Sequence, residues 1–231
     1  MKPTSRRTAN WLATMTAVLL AIPAQATVIS VLNSGGPSSA GTLAAIIAAP
    51  TDALDDIVTN TGMQAFNEAQ HVVTTVAHSI DGGGVIAAGT RVNSHMIFLN
   101  SAGTAQLSHF SVDWTFDGVI LGIMSDQGGL LEAASTFELG NPATNYTVTF
   151  PGSGPAAPFS ARGIESNNGG IGPFPNDGYT QLAPNMLRVG MSVTEPGDWI
   201  RVVTAVPEPG SLALLGVALA GLGFSRRRKL H

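Results

Sequence analysis

Histidine is the first place to look for chemistry in this chain. His71, His78, His95 and His109 lie close in sequence, and neutral imidazoles on neighbouring strands build metal sites, with a carboxylate such as Asp81 or Asp113 completing the set. The spacing argues against one. His71 and His78 are seven residues apart and fall on opposite faces of an unbroken strand, and neither His-x-His nor His-Glu-x-x-His occurs. Hydrogen-bonded or surface histidines are expected, with no metal and no other cofactor. Calcium has two loop candidates, Asp81 before Gly82-Gly83-Gly84 and Asp177 in Pro175-Asn176-Asp177-Gly178, but neither belongs to an alternating acid ladder, and turn chemistry accounts for both. Carboxylate pairs for glycoside hydrolysis are Asp113 with Asp117 or Glu132 with Glu138. On one strand, Asp113 and Asp117 would stand about 13 Å apart, beyond the roughly 5 to 9.5 Å that chemistry requires. No Gly-x-Ser-x-Gly is present, and Ser94-His95 and Ser108-His109 are neighbours whose side chains diverge on a strand. No catalytic residue is expected in the body. Trp199 and Tyr179 are candidates for stacking on sugar, Trp114 for the core. Asn145-Tyr146-Thr147 matches a glycosylation sequon and is read as an ordinary strand start.

Composition narrows the field further. The 231 residues include no cysteine, which excludes disulfides, thiolate zinc sites and a cysteine nucleophile. Charged residues are 11% against about 25% in ordinary domains, while 44% apolar residues are enough for a core. Seven of the eleven basic residues sit at the two ends. Between Thr27 and Val206 four arginines and no lysine face fourteen acids, an excess of ten negative charges. Such a body cannot neutralise a phosphate backbone, so nucleic acid is not an expected partner.

The elements that must position these groups read as strands. Val28–Leu32 ends at Asn33-Ser34-Gly35-Gly36-Pro37. Gln70–Ile80 places Val72, Val76 and Ile80 on one face, and Val92, Met96 and Phe98 alternate within Arg91–Leu99. Leu107–Phe116 is the clearest strand, with Phe110, Val112, Trp114 and Phe116 directed to the core and His109, Ser111, Asp113 and Thr115 to water. Val119–Met124, Tyr146–Phe150, Leu187–Val193 and Ile200–Ala205 continue the pattern. Near the start, Thr42–Ala49 and Asp52–Val58 have helical composition. The fold class expected is all-β: one β-sandwich or jelly-roll-like domain with a short helical N-terminal segment. The glycine- and proline-rich stretch Pro151–Pro184 reads as a long loop with room for one short strand.

The two ends read as addresses. Lys2, Arg6 and Arg7 precede an apolar run, Trp11–Ile22, and Ala24-Gln25-Ala26 follows. This is the plan of a signal peptide over residues 1–26, with Ala24 and Ala26 as the small residues at the cleavage site and signal peptidase as partner. At the other end Pro207-Glu208-Pro209 leads into Leu212–Phe224, whose Leu212, Leu214, Leu215, Val217, Leu219, Leu222 and Phe224 form a short membrane span. Arg226, Arg227, Arg228 and Lys229 follow as a cytoplasmic anchor. The body, residues 27–205, then faces outward from the inner membrane.

This tail, residues 206–231, closely resembles the PEP-CTERM sorting signal of Gram-negative bacteria that make extracellular polysaccharide. The resemblance implies processing by an exosortase, a membrane-embedded cysteine transpeptidase-like protease that removes the tail at the cell envelope. Ile86–His95, Phe116-Asp117-Gly118 and Pro196–Val202 more loosely resemble the body of such proteins, which implies an exported domain without assigned activity. The expected function is that of an exported envelope or matrix protein with a non-catalytic structural, adhesion or polysaccharide-associated body. Its expected partners are signal peptidase, exosortase, the membrane transiently and extracellular polysaccharide. A secreted polysaccharide-acting hydrolase or metal-dependent enzyme is the alternative.

Overall fold

The alternating run Leu107–Phe116 forms one strand from end to end, and the rest of the fold is arranged on it. The computed structural model describes residues 27–53, 59–146, 163–164, 177–194 and 197–207, all within one compact unit, Gln25–Pro207. In chain order the elements are β1 (Val28–Asn33), β2 (Ala45–Ile46), β3 (Gln64–Asn67), β4 (Val72–Val73), β5 (His78–Ser79), β6 (Val85–Ile86), β7 (Arg91–Leu99), β8 (Leu107–Phe116), β9 (Ile120–Met124), α1 (Leu130–Leu139), β10 (Gly178–Ala183), β11 (Met186–Val193) and β12 (Asp198–Ala205). The described residues are mostly β-sheet, with no closed barrel among them.

Four antiparallel strands form one sheet in the order β1-β8-β11-β10. A second sheet runs β2-β3-β7-β12-β9, with β4 also on β7. There β2 and β3 are parallel and the other pairs antiparallel. β5 and β6 make a separate two-stranded hairpin. Side chains from both large sheets share one core: Val112, Trp114, Phe116, Leu187 and Val189 from the first, Ile97, Leu99, Ile200 and Val202 from the second. The second sheet is also covered on its other face. There Met96, Phe98 and Trp199 pack with Phe66 and Tyr146, and Val92 and Val203 with Leu139 of α1. Double coverage explains why β7 and β12 are buried along almost their whole length.

Several sequence expectations change here. In Thr42–Ala49, residues Ala45–Ile46 join β3 as a strand, so ladder bonds from Ala45 N–H to Met63 O and from Ile47 N–H to Ala65 O override the helical preference of alanine. The Asp52–Val58 helix falls mainly on residues 54–58, outside the described residues. The single strand Gln70–Ile80 is two short ones, β4 and β5. His71 has a left-handed backbone (φ 57°), and the chain leaves β7 for the β5–β6 hairpin, so Val72 lies in β4, Ile80 falls just past the end of β5, and Val76 is exposed.

The facing of β8 also changes partway along it. Ser111 adopts φ 54°, and the register with β11 slips between Val189 and Met191, so two residues of β8 oppose one of β11. The bulge reverses the side-chain parity. Val112, Trp114 and Phe116 point inward as expected, but before the bulge it is His109 that is buried, and Phe110 is only half-buried.

α1 was not anticipated. Its start is tied by Asp126, whose carboxylate accepts the N–H groups of Leu130 and Leu131. Glu132 lies in its first turn and Gly140 follows its end. Acid, alanine pair and terminal glycine are the signals by which Leu130–Leu139 could have been read as helical. No described helix is long and apolar enough to cross a membrane. The signal segment 1–26 and the span 212–224 lie outside the described residues.

Candidate functional site

The C-terminal signal leaves the body from a strand bonded on both edges. β12 pairs with β7 from Asp198 to Ala205 and with β9 from Arg201 to Thr204. Its last residue, Ala205, donates N–H to Val119 O at 2.8 Å. Only Val206 separates this strand from Pro207. The other end of the body arrives at the same place: Thr27 O accepts the Asp117 N–H at 3.3 Å, and Val28 N–H donates to Asn67 Oδ1 at 3.0 Å. Thus Thr27, just before β1, and Ala205, the last residue of β12, meet one turn, Asp117-Gly118-Val119, which carries the chain from β8 to β9. Gly118 is required there, because a Cβ at this position would stand 2.0 Å from Ala205 O. The β10–β11 turn completes this pole, with Ile120 N–H bonded to Pro184 O and Phe116 N–H to Asn185 O. Of the sorting-motif residues, Pro207 is described and half-buried. Glu208, Pro209, the span, the basic anchor and the Ala24 and Ala26 cleavage residues lie outside the described residues.

Beneath α1 lies a polar network that sequence reasoning missed. Arg201 and Glu68 are fully buried and paired in a fork: Nε to Oε2 at 2.7 Å and Nη2 to Oε1 at 2.8 Å. Tyr146 OH and Ser94 Oγ donate to the two oxygens of the same carboxylate, each at 2.7 Å. Arg201 Nη1 donates to Glu132 O and Ser135 Oγ, so one guanidinium joins β12 to α1. Burial would drive this cation toward neutrality, but the facing Glu68 carboxylate outweighs it and holds its pKa above the ordinary value. Burial pushes the Tyr146 hydroxyl up as well, with Glu68 adding to the effect. The one hint in sequence was period two: Trp199 and Val203 mark the α1-facing side of β12, and Arg201 lies between them.

Glu132 is 1% exposed, and neither of its carboxyl oxygens has a partner among the described residues. Burial raises its pKa well above the usual range, against the pull of Arg201. The proposed partner Glu138 is elsewhere in its bonding: it accepts the Thr75 N–H, and its Oε2 lies 2.5 Å from His78 Nε2. Asp113 is held by Arg188, at 2.6 and 2.8 Å, and by Ser34; the Arg188 hydrogen bond lowers its pKa. Asp81 accepts the Ser125 N–H and Oγ–H and the Tyr179 OH, while burial raises its pKa. Asp177 is buried and accepts the Ser192 N–H, so it is a strand-pinning acid and not an open loop ligand.

The histidines do not converge. His95 is fully buried between Asn67 Oδ1, 2.9 Å from Nδ1, and Thr204 Oγ1, 3.1 Å from Nε2. A hydroxyl, an imidazole and an amide in line resemble a nucleophile, base and orienting group. Burial, however, lowers the His95 pKa to about 3. The ring is neutral and linked into strands β3, β7 and β12. His109 Nδ1 accepts the Met63 N–H, its Nε2 donates to Gly36 O, and burial lowers its pKa too. No group of three metal-ligating side chains occurs among the described residues. Trp199, a candidate for sugar stacking, is instead fully buried, edge-on to Tyr146 at 6.1 Å, because the second sheet has a covered outer face. Trp114 is core as expected.

At the opposite pole a cavity of about 250 Å³ opens between the ends of β7 and β8, lined by Ser39, Asn60, Thr61, Ser101, Gln106 and Leu107. Its polar groups are bonded within the protein: Asn60 to Phe98 O and the Asn100 N–H, Thr61 to Thr42, Ser39 to the Ser108 N–H.

Comparison with known families finds the PEP-CTERM protein-sorting motif at residues 205–229. The match begins on the last residue of β12. No curated protein and no solved structure matches the chain.

Proposed function

From a chain that carries a PEP-CTERM sorting motif over residues 205–229, and is therefore an exported protein addressed to an exosortase, we propose a non-catalytic envelope or matrix component. Residues 1–26 are its signal peptide, 27–205 its β-sandwich body and 206–231 a tail that holds the precursor in the inner membrane until it is cut. The body works outside, as a structural, adhesive or polysaccharide-associated domain. One observation carries this reading: the motif starts where the ladder ends. β12 has its partners on both edges and is closed at Ala205 by the bond to Val119. Removal of everything beyond Val206 therefore leaves every described strand pair intact, as a detachable signal requires. Both sheets contribute to one core, which supports the sandwich reading.

A second reading, a secreted hydrolase or metal-dependent enzyme acting on polysaccharide, draws on Glu132. A carboxyl whose pKa is raised by burial is what a general acid needs. Its near-complete burial, with neither carboxyl oxygen partnered among the described residues, favours the first reading.

The test is intact-mass analysis of protein from membrane and medium in a host carrying the sorting protease. Replacing Pro207, Glu208 and Pro209 together by alanine is expected to leave export intact and the tail attached. A variant with the same mature mass as the wild type, apart from the substitutions, would defeat the proposal.

A further inference from the structure

The separation between body and cleavage signal is the observation to pursue. Ala205 is bonded into the second sheet, and Pro207 is two residues later, at most about 7 Å of extended chain. An enzyme that encloses Pro207-Glu208-Pro209 cannot do so at that distance without touching the body, unless the end of β12 unzips. The face it meets is already assembled. Val119, 51% exposed, stands on the turn that holds Ala205, and Leu182, 43% exposed, precedes the Ala183–Asn185 turn bonded to Phe116 and Ile120. Pro184 is exposed between them, and Asp117 is half-buried. Asp117 aside, the residues of this turn pair are uncharged, and a neutral apolar surface of this kind is suited to a protein partner.

We propose that this pole, built from Asp117-Gly118-Val119, Leu182–Asn185 and Ala205–Pro207, is a docking surface for the protease that cuts the tail. The enzyme then reads the folded end of the body together with the three-residue motif. The proposal rests on the sorting reading above and adds to it a requirement that the body be folded. Its physical basis is that burying a carboxylate without a partner is costly, so a charge placed on the face blocks docking while harming nothing inside.

Val119→Glu and Leu182→Glu, each made in the full-length precursor, are expected to slow tail removal at least tenfold while the urea midpoint of the body stays that of the wild type. A twelve-residue Gly-Ser linker inserted between Val206 and Pro207 is expected to slow cutting too and to make it insensitive to both substitutions. Wild-type cutting of the charged variants would overturn the proposal, as would a linker that accelerates cutting, since the body would then be an obstacle. Loss of alkali-resistant membrane association in the charged variants would assign the face to lipid and overturn it as well. The motif triple-alanine precursor separates the two levels: if it is still cut, the sorting reading fails and the docking surface falls with it; if it is uncut while Val119→Glu is cut normally, only the docking surface falls.

Discussion

At the scale of single residues, the body's few charges are used against one another. The buried Arg201–Glu68 fork shows what this means energetically. Removing one partner of a buried pair strands the other, at a cost of about 3–5 kcal/mol, whereas an apolar replacement of both is far milder. Glu68→Gln and Arg201→Met are each expected to lower unfolding free energy by about that amount, and Glu68→Leu with Arg201→Met by clearly less than the sum, measured by urea denaturation. His95 sets a pH dependence. Its folded pKa of about 3 lies below the unfolded 6.5, so the unfolded chain binds more protons between these values. Its contribution is complete above pH 6.5 and is lost as pH falls toward 3, at up to about 1.4 kcal/mol per pH unit. Glu132 and Asp81, both raised, act in the opposite sense on acidification. His95→Gln is therefore expected to be less stable than wild type at pH 7 and to lose about 2 kcal/mol less between pH 7 and pH 5. A parallel fall in both proteins would contradict the assignment. None of this was visible from residue types alone, since a histidine that looks like a ligand and one that ties three strands are spelled alike.

At the scale of elements, alternation located β8, β11 and β12 well, because a strand's two faces are written in adjacent residues. It failed where a non-local event intervenes. The bulge at Ser111 exchanged His109 for Phe110 in the core, and it is supported by Gly35, whose N–H bonds Ser111 O and whose missing Cβ leaves room for Phe110 O, which it would otherwise meet at 2.3 Å. Alternation also cannot tell one buried face from two. Arg201, read beside Trp199 and Val203, suggests a wet face, until α1 is placed above it. The β8–β9 turn makes a similar demand on Gly118. Gly118→Ala is expected to push β12 from the turn, lowering stability by about 1–3 kcal/mol and exposing the Ala205 amide to hydrogen exchange. Unchanged protection at Ala205 would show that the turn yields instead.

At the scale of the whole molecule, the two ends of the body share one pole, and on the proposed processing at both ends this orders the events of maturation. Thr27 O and Val28 N–H are both bonded in the folded state, immediately after the proposed cleavage residue Ala26. A peptidase needs that stretch extended and free, so the signal should be cut before β1 joins β8. Folded precursor is expected to resist signal peptidase, and precursor diluted from urea to be cut at Ala26, as read by mass against time. Equal rates would refute the ordering. At the C-terminal end, in contrast, the described residues Val206 and Pro207 lie beyond the last ladder pair of β12. That difference matches what could be read directly from the chain. A sorting signal is written as a contiguous string, and so residues 205–229 announce themselves without a fold, as do the alternating strands. The convergence of Thr27 and Ala205 on one turn, the second buried face and the ring of donors around Glu68 join positions tens to more than a hundred residues apart. Such contacts follow from how the sheets stack, and no local pattern encodes them.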